Sequence, residues 1–248
     1  STLTGSHLQV DTYGGATVSL AFNPATTGSG THLPALGTNE TYGNVAHGKG
    51  IYLVSKFKVV SPYTVSKIAV STDTGVTWQD ITIPTMDMGG HIAVVSCAYG
   101  SSMDKFVILG GWASSYGSNA TAYSTDAVTW TAGGALPGLN DWYGVKYGGG
   151  KFIAFMFSSS TAFAYSTNGT SWSTGSFGTF SPAALSLAYG NGVWVGFSLG
   201  NGFGTWRSTN GGSTWTQVLT YATNNIGKLD FVGGVFLMWC NTAMLKVS

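Results

Sequence analysis

Residues Ser71 to Trp78 read STDTGVTW, and the pattern returns as STDAVTW at 124–130, STNGTSW at 166–172 and STNGGSTW at 208–215. The four closing tryptophans, Trp78, Trp130, Trp172 and Trp215, are 52, 42 and 43 residues apart. A period of this size marks stacked repeats and matches the length of a four-stranded propeller blade. Upstream of each closing box, a Gly-rich turn separates two short apolar runs: VAHGKGIYLVS from 45, CAYGSSMDKFVILGG from 97, VKYGGGKFIAFMF from 145 and LAYGNGVWVGFS from 187. The runs have no helical spacing and are flanked by turn residues, so each unit reads as four strands, a to d. A fifth unit begins at Leu229 with LDFVGGVFLMWC and ends in MLKVS.

The box has a local physical logic. Asp73 can accept hydrogen bonds from the N–H groups of its own turn, Gly75 can supply a positive φ, and Trp78 can pack between neighbouring sheets. Asn168 and Asn210 replace the aspartate in the third and fourth boxes. An uncharged residue serves the same turn, which argues against a catalytic role for Asp73 and Asp126.

These boxes resemble the Asp-box (BNR-like) repeat, Ser-X-Asp-X-Gly-X-Thr-Trp, of sialidases and other propellers. Ser71–Trp78 fits every fixed position, Ser208–Trp215 fits with Asn for Asp, and the other two are one residue shorter. The resemblance covers residues 45–248 and implies boxes that are structural and lie away from the ligand-binding face. The expected fold is therefore all-β: one β-propeller domain over residues 1–248, with an N-terminal closing region at 1–44 and repeats at 45–248. Five four-stranded antiparallel blades are expected, or six if residues 1–44 hold a further degenerate unit. The segment HLQVDT at 7–12 is expected to supply the outer strand of the last blade and close the ring.

Composition excludes several function classes. Ten basic and nine acidic residues leave a formal charge of +1 with no basic stripe, which disfavours nucleic acid. No apolar run reaches the roughly 18–20 residues needed to span a bilayer, and the start has no signal-peptide pattern, so no membrane insertion is expected. Cys97 and Cys240 read as solitary buried thiols rather than a disulfide scaffold. No His or Cys cluster has metal-ligand spacing, and no cofactor is expected.

Antiparallel order puts the a–b and c–d turns at one end of the ring and the variable b–c and d–a loops at the other. Loops on a rigid scaffold are where binding concentrates. Here GWASSYGSN offers Trp112, Tyr116 and Asn119, GLNDWYG offers Asn140, Asp141, Trp142 and Tyr143, and Asn224 lies in the last d–a loop. Aromatic faces beside amide and carboxylate acceptors suit a sugar. Lys56 and Lys58 read as a solvated strand edge.

Low charge, Ser/Thr/Gly/Asn enrichment and irregular boxes together resemble phage tail-fibre receptor-binding modules and propeller lectins. That resemblance implies an adhesin for a surface glycan or polysaccharide, on a virion tail or extracellular, in a longer and homotrimeric parent. A glycoside hydrolase and a protein-binding scaffold are the alternatives. A sialidase would need three arginines for the substrate carboxylate, and Arg207 is the only one in the sequence. A general glycosidase needs two opposed carboxylates, for which Asp87, Asp141 and Glu40 are the candidates. GFSLG at 196–200 mimics a nucleophile elbow without its strand-turn-helix setting, and GGGK at 148–151 is a repeat turn rather than a phosphate loop. No enzyme is expected.

Overall fold

A computed structural model describes residues 8–10, 18–20, 33–34, 36, 40–58, 67–83, 93–111, 120–138, 142–156, 161–178, 186–198, 204–220, 226–240 and 244–247. Every regular element among them is a strand. Leu8–Val10 (β1) pairs with Val18–Leu20 (β2) in a hairpin. Blade 1 is Glu40–Gly48 (β3), Ile51–Lys58 (β4), Lys67–Ser71 (β5) and Gln79–Thr82 (β6). Blade 2 is Ala93–Gly100 (β7), Lys105–Gly111 (β8), Thr121–Ser124 (β9) and Thr131–Ala132 (β10). Blade 3 is Trp142–Gly148 (β11), Lys151–Met156 (β12), Ala162–Ser166 (β13) and Ser173–Ser176 (β14). Blade 4 is Ser186–Gly190 (β15), Val193–Ser198 (β16), Gly204–Ser208 (β17) and Thr216–Thr220 (β18), and a fifth sheet holds Ile226–Val232 (β19), Val235–Cys240 (β20) and Met244–Val247 (β21). Each sheet is an antiparallel meander, and the fold is a β-propeller.

Short connections fix this order. Four of the five a–b turns contain two residues, and both have positive φ: Lys49–Gly50, Gly149–Gly150, Asn191–Gly192 and Gly233–Gly234. That is the primed turn geometry whose twist matches paired strands. The middle strands are apolar on both faces because neighbouring blades cover both. Phe152 to Met156 on β12 are all buried, whereas every residue of the outer strand β18 is exposed.

The inner strands set the spacing between blades. The glycine just before each of the first four a–b turns lies under an aromatic ring of the next blade: Gly48 under Tyr99, Gly100 under Tyr147 and Phe152, Gly148 under Tyr189, and Gly190 under Phe231. At each of these glycines a Cβ would fall well inside van der Waals contact with the ring. Nearby backbone amides are satisfied across the same joints: Val145 N donates to Ser96 Oγ at 3.1 Å and Leu229 N to Ser186 Oγ at 3.1 Å. Cys97 is a buried free thiol in the joint between blades 1 and 2, and burial pushes it up to about 12, leaving it unreactive.

Two expectations are corrected. The strand at 8–10 does not complete the last sheet: it pairs with 18–20, and β21 has no second neighbour among the described residues. Closing a hairpin over seven residues costs far less chain entropy than joining the two ends of the sequence. Lys56 is not a solvated edge residue. Its side chain is 2 % exposed, forms an ion pair with Asp80, and lies 5.7 Å from the Tyr42 ring centroid. Val54, Ala69 and Asp80 are cross-strand neighbours on one face, so the small Ala69 leaves a path for the Lys56 stem, two residues along, to reach Asp80.

Breaking a buried pair leaves an uncompensated charge. Asp80→Ala is therefore expected to lower the unfolding free energy by about 3 kcal/mol, the lower end for such pairs because Asp80 keeps some contact with water. The Lys56→Met, Asp80→Ala double variant should recover most of that loss. Urea denaturation of the three proteins measures both.

Candidate functional site

The two ends of the propeller can be told apart by their hydrogen bonds. Lys105 Nζ, just after the a–b turn of blade 2, donates to Asn168 O in the c–d turn of blade 3 at 2.9 Å, and Lys151 Nζ of blade 3 donates to Gly211 O of blade 4 at 2.9 Å. Each lysine also lies over a tyrosine of its own blade, Tyr123 at 5.2 Å and Tyr165 at 5.5 Å. The a–b and c–d turns thus share one end, and the b–c and d–a connections form the other.

At the turn end, the acidic residues are consumed in structure. Ser71 Oγ donates to Asp73 Oδ1 and accepts from Gly75 N, while Thr77 N donates to the Asp73 carboxylate at 2.8 Å. Ser124 and Asp126 repeat the arrangement with Ala127, Val128 and Thr129. Asn168 Oδ1 accepts from Thr170 N and Ser171 N, and Asn210 Oδ1 from Thr214 N, so the amide oxygen replaces the carboxylate without loss of the turn. The indole N–H of Trp78, Trp130 and Trp215 donates to the carbonyl of Gly75, Ala127 and Gly212. Trp172 makes no such bond.

The hydroxyl and then the N–H of Thr77 hold Asp73 down to about 2, and the N–H of Thr129 is the main cause holding Asp126 down to about 2. Asp104 is likewise lowered, first by Lys49 and then by Tyr99. Asp80 is taken by Lys56, and Asp230 lies 3.9 Å from Lys146 across the inner edge of blade 4. Among the described residues every aspartate therefore has a structural partner, and no group of three His, Cys, Asp or Glu side chains could hold a metal.

The binding residues expected from the sequence belong to the b–c and d–a connections. Trp112, Tyr116, Asn119, Asn140, Asp141 and Asn224 lie outside the described residues, as do Asp87 and Asp141 of the carboxylate candidates. Trp142 and Tyr143 are described and part company. Trp142 is 1 % exposed and packs with Leu136, Val95, Val145 and Met156 between blades 2 and 3. It begins β11 on the core side of the strand, whereas the ligand contact expected of it needs an exposed ring.

A bulge between Trp142 and Gly144 turns the intervening residue outward, and Tyr143 is 42 % exposed, its ring 6.5 Å from that of Phe155. Similar bulges interrupt β3, β7 and β19 near their starts. In β3 the bulge presents Asn44, whose Nδ2 donates to Val95 O of blade 2 at 3.2 Å. Sequence reasoning missed Asn44 and the Lys56–Asp80 pair. The signal for Lys56 was available in SKFK, where a lysine occupies the alternate position that Val54 fills one step earlier.

No family model matches the chain, and no curated protein matches it. In three dimensions it is similar to “YCF48 bound to D1 peptide”, with a TM-score of 0.57 and 16% identity over 91% of this chain and 68% of that one. It is also similar to YCF48 from Cyanidioschyzon merolae, with a TM-score of 0.55 and 14% identity over 88% of this chain and 69% of that one. At these identities the likeness shows the fold, a β-propeller.

The lowered aspartates fix the direction of an acid effect. Their carboxylates ionise near 2 in the folded chain against an ordinary value of 3.8, so the stability they contribute is fully present above about pH 4 and is lost as pH falls through about 2. The melting temperature should fall across that window. In the Asp73→Asn, Asp126→Asn variant the fall should be shallower, since Asn168 and Asn210 already build the same turn. Thermal scans from pH 5 to pH 2 measure it.

Proposed function

We propose that the chain is a protein-binding scaffold whose b–c and d–a loop face receives an extended peptide segment of a partner. The observation that carries this reading is the split between Trp142 and Tyr143. The aromatic expected to stack on a sugar is core, while the bulge leaves a tyrosine exposed beside the loop face, and exposed aromatics anchor protein interfaces. The similar propeller solved with a bound peptide supports the same assignment. On this reading the chain is not an enzyme, in keeping with the structural partners of its described aspartates.

The surface-glycan adhesin, on a virion tail or outside a cell, is the competing reading and rests on Trp112, Tyr116, Asn119, Asn140, Asp141 and Asn224. Parallel binding to a synthetic peptide array and a glycan array separates the two. The proposal expects reproducible peptide ligands whose affinity drops about tenfold in Tyr143→Ala, a loss of about 1.4 kcal/mol. The melting temperature should fall only slightly, because Tyr143 is 42% exposed and its ring borders Phe155. Glycan binding without peptide binding, or peptide affinity indifferent to Tyr143, would overturn it.

A further inference from the structure

The first three joints are closed at the rim in the same way. The tryptophan of each closing turn packs in one cluster with apolar residues that follow the closing turn of the blade before it. Trp130 packs with Ile81 and Ile83, Trp172 with Leu136, and Trp215 with Phe177, the last two rings meeting edge-on at 5.3 Å. From each of these tryptophans the chain runs on into an outer strand, β10, β14 or β18. The fourth joint departs from this pattern. Its buried residues are Ala188, Val195, Phe197, Leu229, Phe236 and Met238, all from first and second strands, with no indole among the described residues.

The uncovered residue is Leu219. It pairs with Thr205, three positions before the serine of its box, just as Ile81 pairs with Ile68, three positions before Ser71. Directly opposed residues share a face, and Ile68 and Ile81 face blade 2. Leu219 therefore faces the fifth sheet from the same place on the rim, yet it is 44% exposed. Beside it the fifth sheet stops at three strands, and β21 has no outer neighbour among the described residues. A ring on Leu219 and a strand on β21 are both missing. At the other joints one closing turn and its outer strand supply the two together.

An open strand edge presents N–H and C=O groups to another extended segment, and an adjoining apolar surface for one side chain makes such pairing selective. We propose that this notch in the rim is a docking site for a partner polypeptide whose bound segment carries an aromatic residue followed by an extended run. The ring seats on Leu219, and the run adds to β21 as a fourth strand. The completed joints define the occupant's chemistry: β6, β14 and β18 are mostly exposed and rich in Ser, Thr and Gln, so the ring and the backbone bonds hold the segment. Blade 4 has Val193 where Lys105 and Lys151 of earlier blades reach the next closing turn, so binding owes little to charge. The site lies on the rim and is independent of the loop face proposed above.

A synthetic peptide of residues 71–82, which joins a closing turn and its tryptophan to an outer strand, probes the site on the full chain. Fluorescence anisotropy of the labelled peptide should show saturable binding. Outer-edge amides of residues 244–247 should exchange like a free chain without peptide and at least about tenfold more slowly at saturation. The Trp78→Ala form of the peptide should bind about tenfold more weakly, and Leu219→Asp in the protein should have the same effect. Val76→Asp in the protein, on the turn end, and Tyr143→Ala, on the loop end, should leave the affinity unchanged. Absence of saturable binding would overturn the proposal, as would an affinity indifferent to both the peptide's tryptophan and Leu219. Protection of the 244–247 amides before peptide is added would also overturn it. Protection constant with protein concentration would assign the edge to another segment of the chain, and protection rising with concentration to a second copy.

Discussion

One contact organises the molecule: an aromatic ring of each blade resting on the bare backbone of a glycine in the blade before it. Twisted sheets pack about 10 Å apart with side chains interleaved between them. Near the axis of a propeller the sheets converge, and two side chains no longer fit. Gly48, Gly100, Gly148 and Gly190 remove one of them, so Tyr99, Tyr147 with Phe152, Tyr189 and Phe231 can fill the space. That fixes how far each inner strand stands from the next. It also places the Ser96 and Ser186 hydroxyls where the amides of the following blade need acceptors.

Away from the axis the sheets diverge, and the filling changes accordingly. Phenylalanine, tryptophan and branched side chains occupy the b and c strands, and at the rim the closing turns take over with a tryptophan each. Those turns are built from Ser, Thr, Asp and Asn, whose side chains bond their own backbone. With 8% charged residues in the chain, the surface is made polar by such neutral groups rather than by ion pairs. Several of the described charges are spent in place: Lys105 and Lys151 link successive blades, and Lys56 is sealed under Tyr42.

The repeat was legible because the turn chemistry is local. STDTGVTW carries its own hydrogen-bond partners within eight residues, and the Trp spacing follows from the blade length. The split between Trp142 and Tyr143 was not legible, since a single bulge decides which of two adjacent aromatics enters the core, and a bulge leaves no mark in the pattern of apolar residues. Lys56 was misread for a related reason: its partner Asp80 is 24 residues away, and only the register of β4, β5 and β6 brings them together. The closing role expected of 7–12 rested on the open edge of the last sheet, an argument that does not weigh the local hairpin that Leu8–Val10 forms with Val18–Leu20. Most of the candidate site sits in connections whose length and composition vary from blade to blade, so the period that revealed the fold carries no information about them.

The central claim is that a ring on a glycine sets each joint, and a double-mutant cycle on Gly48 and Tyr99 tests it most directly, because the atoms nearest a Cβ at Gly48 all belong to the Tyr99 ring. Gly48→Ala should destabilise the protein by about 1–3 kcal/mol, the usual range for an overpacked core. In a Tyr99→Ala background the same substitution should cost little, because the ring it collides with is gone, giving a coupling of about 1–2 kcal/mol. Equal costs in the two backgrounds would contradict the account, and would mean that blade spacing is set elsewhere.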